Sequence, residues 1–398
     1  MSTSPLPPKT TLDFENTELA FRARSDQRLK RDFWLFKMVD SPFLTKVGPP
    51  MLTFAMRAGL PVTGLVRNTL FNLFCGGESL TETVGRSSIL DKFRVKTILD
   101  YSVEGEKTES AFDATLNEFI ATLRQGARQS SIAMVACKLT ALAPFDLLAK
   151  LQAGGELKEG ERSAYNRVKR RIHDLAKAAA DHRTPIYIDA EESWIQDTID
   201  RLTEELMEQY NQKSVVVYHT VQLYRHDRLD YLRQLIQRSQ QKGYKLGVKL
   251  VRGAYMEKER ERAVDMGYPS PIQPDKQATD ADYNTAVDLC VDHLEHVSVC
   301  VGSHNEESCR RLAERMNQMG LPHDHPNVWF AQLLSMSDHI TFNLAAQGFN
   351  AAKYLPYGPV KAVMPYLIRR ANENTAIAGQ ASREMQLLTT EMERRGLK

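Results

Sequence analysis

Cysteine is scarce in this sequence, and its five thiols stand far apart. They are Cys75, Cys137, Cys290, Cys300 and Cys309, and no two of them form a CxxC pair. Structural zinc sites use closely spaced ligands, and small secreted domains use an even set of paired cysteines. Neither a zinc site nor a disulfide framework is therefore predicted, and the sequence favours a reducing compartment.

Long apolar runs and an excess of one charge are also missing. No run of about 18 uncharged apolar residues is present, as a membrane-spanning helix would need. The chain has 52 basic and 50 acidic side chains, which argues against a nucleic-acid partner. The polar, partly acidic residues 1–18 are unlike a signal or transit peptide. We expect a cytoplasmic protein, at most peripheral to a membrane.

From residue 94 onward, short β-branched runs alternate with longer amphipathic stretches. Eight such runs are predicted strands: RVKTILD (94–100), SIAMVACKL (131–139), PIYIDA (185–190), SVVVYHTVQ (214–222), YKLGVKLVR (244–252), HVSVCVGS (296–303), NVWFAQ (327–332) and AAKYLP (351–356). The stretches between them have helical spacing, as in Ile195, Ile199, Leu202 and Leu206.

Strands that alternate with helices predict a parallel sheet with right-handed crossovers. Eight repeats over 279 residues, 94–372, favour a closed (β/α)8 barrel of the TIM type. An open doubly wound sheet is the alternative, but the GxGxxG motif that often accompanies that fold is absent.

Three regions are predicted along the chain. Residues 1–90 form an aromatic-rich helical cap that ends near Gly76 and Gly77, residues 91–380 form the barrel, and residues 381–398 form a charged tail helix. The aromatic helices could instead lie on a membrane, but a cap that covers the barrel is the favoured interpretation.

Polar side chains follow most of the predicted strands. In a barrel of this type, reactive groups lie at the carboxyl ends of the strands. Each residue alone has a structural alternative, such as an N-cap for Asp189 or a buried structural imidazole for His304. Their coincidence at one end of the barrel favours a functional site, formed by Lys138, Asp189, Glu191, Gln222, Lys249, Arg252, His304, Gln332 and Tyr354.

A second group of polar residues lies on the last predicted barrel helix. Tyr366, Arg369, Arg370 and Glu373 are spaced i, i+3, i+4 and i+7, so they share one face. Two adjacent guanidinium groups in a cleft repel each other unless an anion binds between them, and their forked donors fit a carboxylate. The pattern predicts a small carboxylic acid substrate. A surface arginine pair bridged by Glu373 is the alternative.

These motifs resemble the monofunctional proline dehydrogenase family. The similarity rests on KLVRGAYMEKERERA, GSHNEES, WFAQLLSMSD and YLPYGPV followed by PYLIRRANEN, and it spans residues 94–375. The resemblance implies a distorted (β/α)8 barrel that binds FAD non-covalently. It also implies oxidation of L-proline to Δ1-pyrroline-5-carboxylate, transfer of electrons to a membrane quinone, and peripheral membrane contact, on the matrix side in a mitochondrial enzyme.

The resemblance also implies roles for individual residues. Arg369 and Arg370 match the pair that grips the proline carboxylate, Lys138 matches a lysine that pairs with Glu373, and Asp189 matches the acidic neighbour of that lysine. Tyr354, Tyr366 and Leu334 match the walls around the proline ring. The matched flavin positions are Gln222, Lys249, Val251, Gly253, Ala254, Tyr255, Lys276, His304 and Gln332. Family members fused to an aldehyde dehydrogenase have arginine in place of Lys249.

Other functions are weighed against this one. Lys138 or Lys249 could form a Schiff base in an aldolase barrel, and hydroxyproline is the nearest alternative substrate. A metal at His323, Asp324 and His325 is not predicted, because no third ligand follows at helical spacing. The few residues after the barrel predict a separate pyrroline-5-carboxylate dehydrogenase for the next reaction.

Overall fold

The structure is a computed structural model of the chain. It describes residues 12–39, 63–103, 105, 107–376 and 380–397, and the side chains of 39, 65, 371–376, 380 and 381 lie outside that description. Residues 1–11 and 40–62 of the predicted cap and the side chain of Glu373 therefore fall outside the described residues.

Eight parallel strands form a closed barrel in chain order, and β8 pairs with β1 to complete it. The strands are β1 (Val95–Tyr101), β2 (Ile132–Cys137), β3 (Ile186–Ile188), β4 (Val217–Gln222), β5 (Leu246–Val251), β6 (Val297–Gly302), β7 (Val328–Leu333) and β8 (Ala351–Tyr357). The predicted barrel and all eight predicted strands are confirmed, with shifts of a few residues at their ends.

Helices follow the strands and also precede and follow the barrel. In chain order they are α1 (Thr17–Phe21), α2 (Asp26–Val39), α3 (Thr63–Val66), α4 (Asn72–Phe74), α5 (Leu80–Asp91), α6 (Glu109–Arg128), α7 (Phe145–Gln152), α8 (Glu159–His182), α9 (Ser193–Tyr210), α10 (Arg228–Lys242), α11 (Met256–Met266), α12 (Lys276–Asp292), α13 (Glu306–Gln318), α14 (Asp338–Ala346), α15 (Met364–Ala376) and α16 (Gln380–Arg394). A π-helical turn, Arg67–Phe71, joins α3 to α4. Along the described parts of the chain, no helix is long and apolar enough to cross a bilayer.

Local sequence explains where several of these helices begin. The side chains of Thr108, Asp275 and Asn305 accept hydrogen bonds from backbone N–H groups in the first turns of α6, α12 and α13. Such caps satisfy donors that have no partner inside the helix. Gly243 ends α10 with a φ of 76°, a conformation that glycine adopts without a steric penalty.

The strands bury side chains on both faces, as expected for a parallel sheet covered by helices. The interior of the barrel is filled by Ile98, Met134, Ala136, Tyr187, Tyr218, Cys300, Ala331 and Ala352. The outer faces pack against the helices in one larger core, which includes Val135, Val217, Leu250 and Val299. The barrel is therefore solid in its lower part and can hold a ligand only near its mouth.

The last helix of the barrel, α15, departs from the regular barrel arrangement. Next to β1 and β8, the outer side chains Leu99 and Leu355 pack against Leu80 and Val84 of α5. Because α5 fills this position beside the barrel, α15 is free to direct side chains into the mouth. The helix α5 thus occupies, beside β1 and β8, the place that a regular barrel gives to its last helix.

The terminal segments pack together around α15. Phe36 from α2, Phe71 and Phe74, and Leu387 from α16 share one apolar cluster with Leu367 of α15. The helix α16 corresponds to the predicted tail helix 381–398. Much of the aromatic content of the N-terminal region is thus buried against the barrel helices, whereas Trp34 is 60% exposed.

Candidate active site

A cavity of about 310 Å³ lies at the carboxyl ends of the strands. Its lining contains sixteen of the predicted site residues: Lys138, Asp189, Gln222, Lys249, Val251, Arg252, Gly253, Ala254, Tyr255, Lys276, His304, Gln332, Tyr354, Tyr366, Arg369 and Arg370. The fold therefore brings together residues that are up to 232 positions apart, from 138 to 370. Their individual roles remain predictions.

The charge of the lining is strongly positive. Six basic residues and two acidic residues line the cavity: Lys138, Lys249, Arg252, Lys276, Arg369 and Arg370, with Asp100 and Asp189. A concave surface with this balance attracts anions and lowers the free energy of bound carboxylate or phosphate groups. The arrangement suits a ligand that bears one or more negative charges.

Asp189 organises the polar groups on one side of the cavity. Its Oδ2 accepts a hydrogen bond of 2.8 Å from the hydroxyl of Tyr354, and its Oδ1 forms an ion pair with Nζ of Lys249. The resemblance implies Lys138 as the neighbour of this carboxylate, whereas the described ion pair is with Lys249. Burial, followed by the charges of Asp100 and Asp189, raises the pKa of Tyr354 well above its ordinary value, so the phenol stays protonated.

Two aromatic rings surround the ammonium group of Lys249. Its Nζ lies 5.2 Å from the ring centroid of Tyr187 and 5.3 Å from that of Tyr354. Both distances fall within the range of cation–π attraction. Together with the Asp189 carboxylate, the rings hold the ammonium charge at a fixed place in a site where Lys249 is only 5% exposed.

Both arginines of α15 point toward the cavity. The Cζ atom of Arg370 lies 5.3 Å from the ring centroid of Tyr366, and that of Arg369 lies 5.9 Å from the ring of Tyr255. Arg370 and Tyr366 are buried. This placement differs from the alternative of an exposed arginine pair on the helix surface.

His304, which follows β6, lines the cavity as a neutral imidazole. Burial and the nearby positive charges of Lys353 and Arg370 lower its pKa to about 3. Its Nδ1 lies 2.9 Å from Oγ of Ser337. A neutral ring in this position can donate one hydrogen bond and accept another, which suits polar uncharged ligand groups.

Glu191 follows Asp189 but lies beneath the cavity lining. One oxygen of its carboxyl group accepts a hydrogen bond of 3.0 Å from the backbone N–H of Thr140, and the other bonds the Thr140 hydroxyl. Burial, with a smaller effect of the Glu192 charge, raises the pKa of Glu191 to about 7. This carboxyl group is therefore largely protonated in weakly acidic solution.

The raised pKa of Glu191 predicts a pH-dependent stability. The folded chain holds a proton that the unfolded chain releases near the ordinary glutamate pKa of 4.5, so the stabilisation is complete below pH 4.5 and is lost as the pH rises through about 7. The loss is on the order of 3 kcal/mol.

The Glu191→Gln variant should therefore lose less of its unfolding free energy between pH 5 and pH 8 than the unaltered protein, as measured by urea denaturation. Arg233→Gln, on the exposed part of α10, is a control that leaves Glu191 untouched. Parallel stability curves for the unaltered protein and Glu191→Gln would contradict the assignment.

One predicted ring-wall residue does not line the cavity. Leu334 packs with Leu99 and Leu355 in the cluster next to α5, whereas Leu333 faces the cavity. Adjacent residues at the end of a strand point to opposite sides, so only one of the two leucines can face the ligand. The cavity lining therefore contains Leu333 and not the predicted Leu334.

Asp100 is a cavity residue that the sequence analysis did not select. It lies at the carboxyl end of β1, lines the cavity and is buried. It could have been found by applying the rule about strand ends to the first strand as well. Thr220, Ser303 and Asn305 also line the cavity and were not selected.

His323, in the cluster His323, Asp324 and His325, has hydrogen-bond partners within the protein. The two ring nitrogens of His323 lie 2.7 Å from the Gln347 carbonyl oxygen and 2.8 Å from Oδ1 of Asn317. The ring also stacks on Phe349 with a centroid distance of 3.9 Å. Among the residues that the structure describes, no cluster of three metal-ligating side chains is found.

Several features of the lining fit an aromatic cofactor with polar edges. Gln222 donates from Nε2 to the Glu191 carbonyl oxygen at 3.1 Å, while its buried Oε1 has no partner within the described residues. Gly253 has a φ of 143°, and a Cβ atom there would lie 2.5 Å from the Tyr224 ring. The backbone conformation and the packing of Tyr224 therefore both require glycine at this position of the lining. Neutral His304 and the basic residues complete a site suited to a flavin nucleotide.

Comparison with known proteins gives consistent results. The sequence model of the family described as proline dehydrogenase matches residues 84–383. A carbapenem antibiotics biosynthesis protein, CarD of Pectobacterium carotovorum, is 35% identical over 81% of this chain and 84% of its own length. Human mitochondrial proline dehydrogenase 1 is 40% identical over 60% of this chain and 40% of its own length. Hydroxyproline dehydrogenase of Xenopus laevis is 30% identical over 94% of this chain and 88% of its length.

A solved structure supports the fold. The proline utilization A protein of Bdellovibrio bacteriovorus, inactivated by N-propargylglycine, superposes with a TM-score of 0.71 at 19% identity. The match covers 94% of this chain and 39% of that protein. This chain thus spans about two fifths of the human and Bdellovibrio proteins.

Proposed function

Because this chain belongs to the proline dehydrogenase family, we propose that it oxidises L-proline to Δ1-pyrroline-5-carboxylate with a non-covalent FAD as hydride acceptor. The chain is an oxidoreductase of that family, and proline catabolism is its setting. The observation that best supports the proposal is the pair of arginines directed into a positive cavity that Tyr255, Tyr354 and Tyr366 also line.

Substrate binding would rest on α15. The guanidinium groups of Arg369 and Arg370 would bind the proline carboxylate, since their forked donors match its two oxygens. The rings of Tyr366 and Tyr354 would cover the apolar pyrrolidine ring. These contacts would fix the reacting carbon at roughly 3 to 3.5 Å from the hydride acceptor, and this positioning supplies most of the catalysis.

FAD, when bound, supplies the electron-poor ring that accepts a hydride from the carbon next to nitrogen. Gln222, His304 and Lys249 would hold its ring, and Arg252 and Lys276 lie where a phosphate could bind. Lys249 would stabilise the negative charge that develops during reduction. Asp189 would keep the Lys249 ammonium in place and would orient the Tyr354 hydroxyl. Proline must bind as the neutral amine, so that its lone pair can drive hydride departure.

A visible spectrum tests the proposal. The purified protein should show flavin absorbance, and anaerobic addition of L-proline should bleach it. D-Proline, in which the hydrogen and the carboxylate on Cα exchange places, is the matched control. It should bleach the flavin much more slowly, because its carboxylate would not reach the two arginines in the same ring position. A colourless protein that does not bind added FAD, or a flavin that L-proline does not reduce, would contradict the proposal.

The structure disfavours a Schiff-base aldolase that uses Lys249. Such a lysine must present its nitrogen to a substrate carbonyl, but Nζ of Lys249 is held by the Asp189 carboxylate and by the rings of Tyr187 and Tyr354. Hydroxyproline remains the second candidate substrate within the family. As the family resemblance implies, Tyr354 would crowd the ring carbon that bears the hydroxyl, so we expect a lower kcat/KM for hydroxyproline than for proline. A ratio that favours hydroxyproline would reverse the substrate assignment.

We also propose that the exposed face of α2 contacts an anionic membrane surface, where a quinone would receive the electrons. Lys30, Arg31, Trp34, Lys37 and Met38 form one exposed stripe. Trp34 is 60% exposed, and Lys37 lies 5.0 Å from its ring centroid. Basic residues that flank an exposed tryptophan are typical of helices that lie in the membrane interface.

Vesicle sedimentation tests the membrane contact. Binding to phosphatidylcholine vesicles that contain phosphatidylglycerol should fall about tenfold in the Trp34→Ala, Lys37→Glu double variant, because a membrane-adjacent charge contributes on the order of 1 kcal/mol. Val264→Ala, which truncates an 82% exposed apolar residue on α11, is the matched control. Equal sedimentation of all three proteins would contradict a role for α2.

The remaining partners follow from the chemistry. The two electrons must leave the flavin before the next turnover, and a quinone is the proposed acceptor. The product would be consumed by a pyrroline-5-carboxylate dehydrogenase. A location in the cytoplasm or on the inner face of a membrane remains a prediction.

A further inference from the structure

The turn after β7 has an unusual backbone. Ser335 has a φ of 61° and Ser337 a φ of 49°, and neither residue is glycine. Left-handed conformations are uncommon for such residues and persist only where surrounding contacts enforce them. We call residues 335–337 the serine turn. One residue, Leu334, separates it from Gln332 and Leu333, which line the cavity.

Two buried cations bind backbone carbonyl oxygens at this turn. Nζ of Lys353, on β8, donates to the carbonyl oxygen of Met336 at 2.5 Å. Nη2 of Arg24, between α1 and α2, donates to that of Ser335 at 3.3 Å. Lys353 is 1% exposed and Arg24 is 5% exposed.

The C-terminal helix binds the same turn from another side. Oε1 of Glu384, on α16, accepts a hydrogen bond of 2.5 Å from the backbone N–H of Ser337. Glu384 is only 1% exposed, so this contact is shielded from water. Residues from the N-terminal segment, from the barrel and from the C-terminal helix thus converge on three consecutive residues.

The buried charges at the turn are compensated. Asp338 lies 2.8 Å from Nζ of Lys353 and 2.6 Å from Nη2 of Arg24, and Asp32 lies 3.1 Å from Nη1 of Arg24. The charge of Arg24 lowers the pKa of Asp338, against the effect of burial, so the carboxylate stays ionised. Burying a network of ions costs desolvation free energy. This cost indicates that the serine turn has a role beyond the local structure.

The serine turn connects this network to the cavity. The hydroxyl of Ser337 lies 2.9 Å from Nδ1 of His304, which lines the cavity. The bond that one imidazole nitrogen makes fixes the ring orientation and the tautomer, and thereby decides what the other nitrogen offers to a ligand. The position of the Ser337 hydroxyl depends on the backbone that Glu384, Arg24 and Lys353 hold.

We propose that Glu384 and Arg24 are positioning residues for the cofactor site: they hold the serine turn so that Ser337 orients His304 toward bound flavin. The terminal segments would thus contribute to the active site without touching its ligands. This inference rests on the proposed function, because it takes FAD as the ligand that His304 contacts.

FAD titration of the apoprotein tests this positioning role. The Glu384→Leu and Ser337→Ala variants should each raise the dissociation constant of FAD about tenfold, the effect of one misplaced hydrogen bond. Glu384→Gln keeps an oxygen acceptor for the Ser337 N–H and should restore most of the affinity. The double variant Glu384→Leu, Ser337→Ala should bind FAD no more weakly than Ser337→Ala alone, because Glu384 is proposed to act through the Ser337 hydroxyl, which that variant already lacks.

A control separates this role from a general loss of stability. Arg171 is also a fully buried arginine paired with two carboxylates, Glu109 and Asp113, but it lies between α6 and α8. Arg171→Met should lower the melting temperature and leave FAD affinity unchanged. Additive effects of Glu384→Leu and Ser337→Ala, or no recovery in Glu384→Gln, would overturn the inference. Failure of the unaltered protein to bind FAD would instead refute the proposed function.

Discussion

Replacement of Arg370 by alanine is expected to raise the KM for L-proline about 100-fold while FAD remains bound. A charge-assisted hydrogen bond is worth about 1.5 to 3 kcal/mol, and each 1.4 kcal/mol changes affinity tenfold. Arg370 is buried beside Tyr366, so water cannot easily replace the lost donors. The measurement is steady-state kinetics with an artificial acceptor, together with the flavin content of the purified variant.

Two further variants define the role of Arg370. Arg370→Lys keeps the charge and loses the planar fork, so it should recover only part of the affinity. Arg238→Ala removes a half-buried arginine that pairs with Glu204 away from the cavity, and it should leave KM unchanged. An unaltered KM in Arg370→Ala would refute the carboxylate clamp.

Replacement of Lys249 by methionine is expected to slow flavin reduction by proline about 100-fold. Removal of one electrostatic stabiliser from a preorganised site typically costs a factor of this size. Without the cation, the flavin midpoint potential should also fall by about 30 mV or more. Anaerobic stopped-flow absorbance gives the rate, and equilibration with reference dyes gives the potential.

The charge that Lys249 leaves behind must be controlled. In Lys249→Met the half-buried Asp189 carboxylate loses its cationic partner, which could itself disturb the site. The double variant Asp189→Asn, Lys249→Met removes both charges and should still reduce its flavin slowly. Lys249→Arg should retain most of the rate, because it keeps the charge. A normal potential in Lys249→Met would show that the ammonium does not act on the flavin.

The strands were predictable because their signal is local. Buried parallel strands need continuous β-branched runs, and the intervening helices need apolar residues at helical spacing. Both patterns are properties of neighbouring residues. The exchange of α5 and α15 beside the barrel was not predictable in this way, because it depends on which of two amphipathic helices packs better against β1 and β8.

The membership of the site was largely predictable, and its internal pairing was not. The closed barrel places the ends of all strands in one mouth, so the polar residues after those strands had to meet there. Which of them touch is set by side-chain directions. Asp189 pairs with Lys249, and Leu333 lines the cavity whereas Leu334 packs with Leu99 and Leu355. Asp100 obeys the same rule, because it lies at the carboxyl end of β1 and lines the cavity.

The sequence by itself determined the strand order, the position of the barrel mouth and the placement of two guanidinium groups on one face of α15. Spacing along the chain encodes each of these features. Only the tertiary structure decided that Arg24 and Glu384, which are 360 positions apart, meet at the serine turn next to His304. Contacts between distant segments depend on how whole elements pack. No local pattern in the chain specifies that packing.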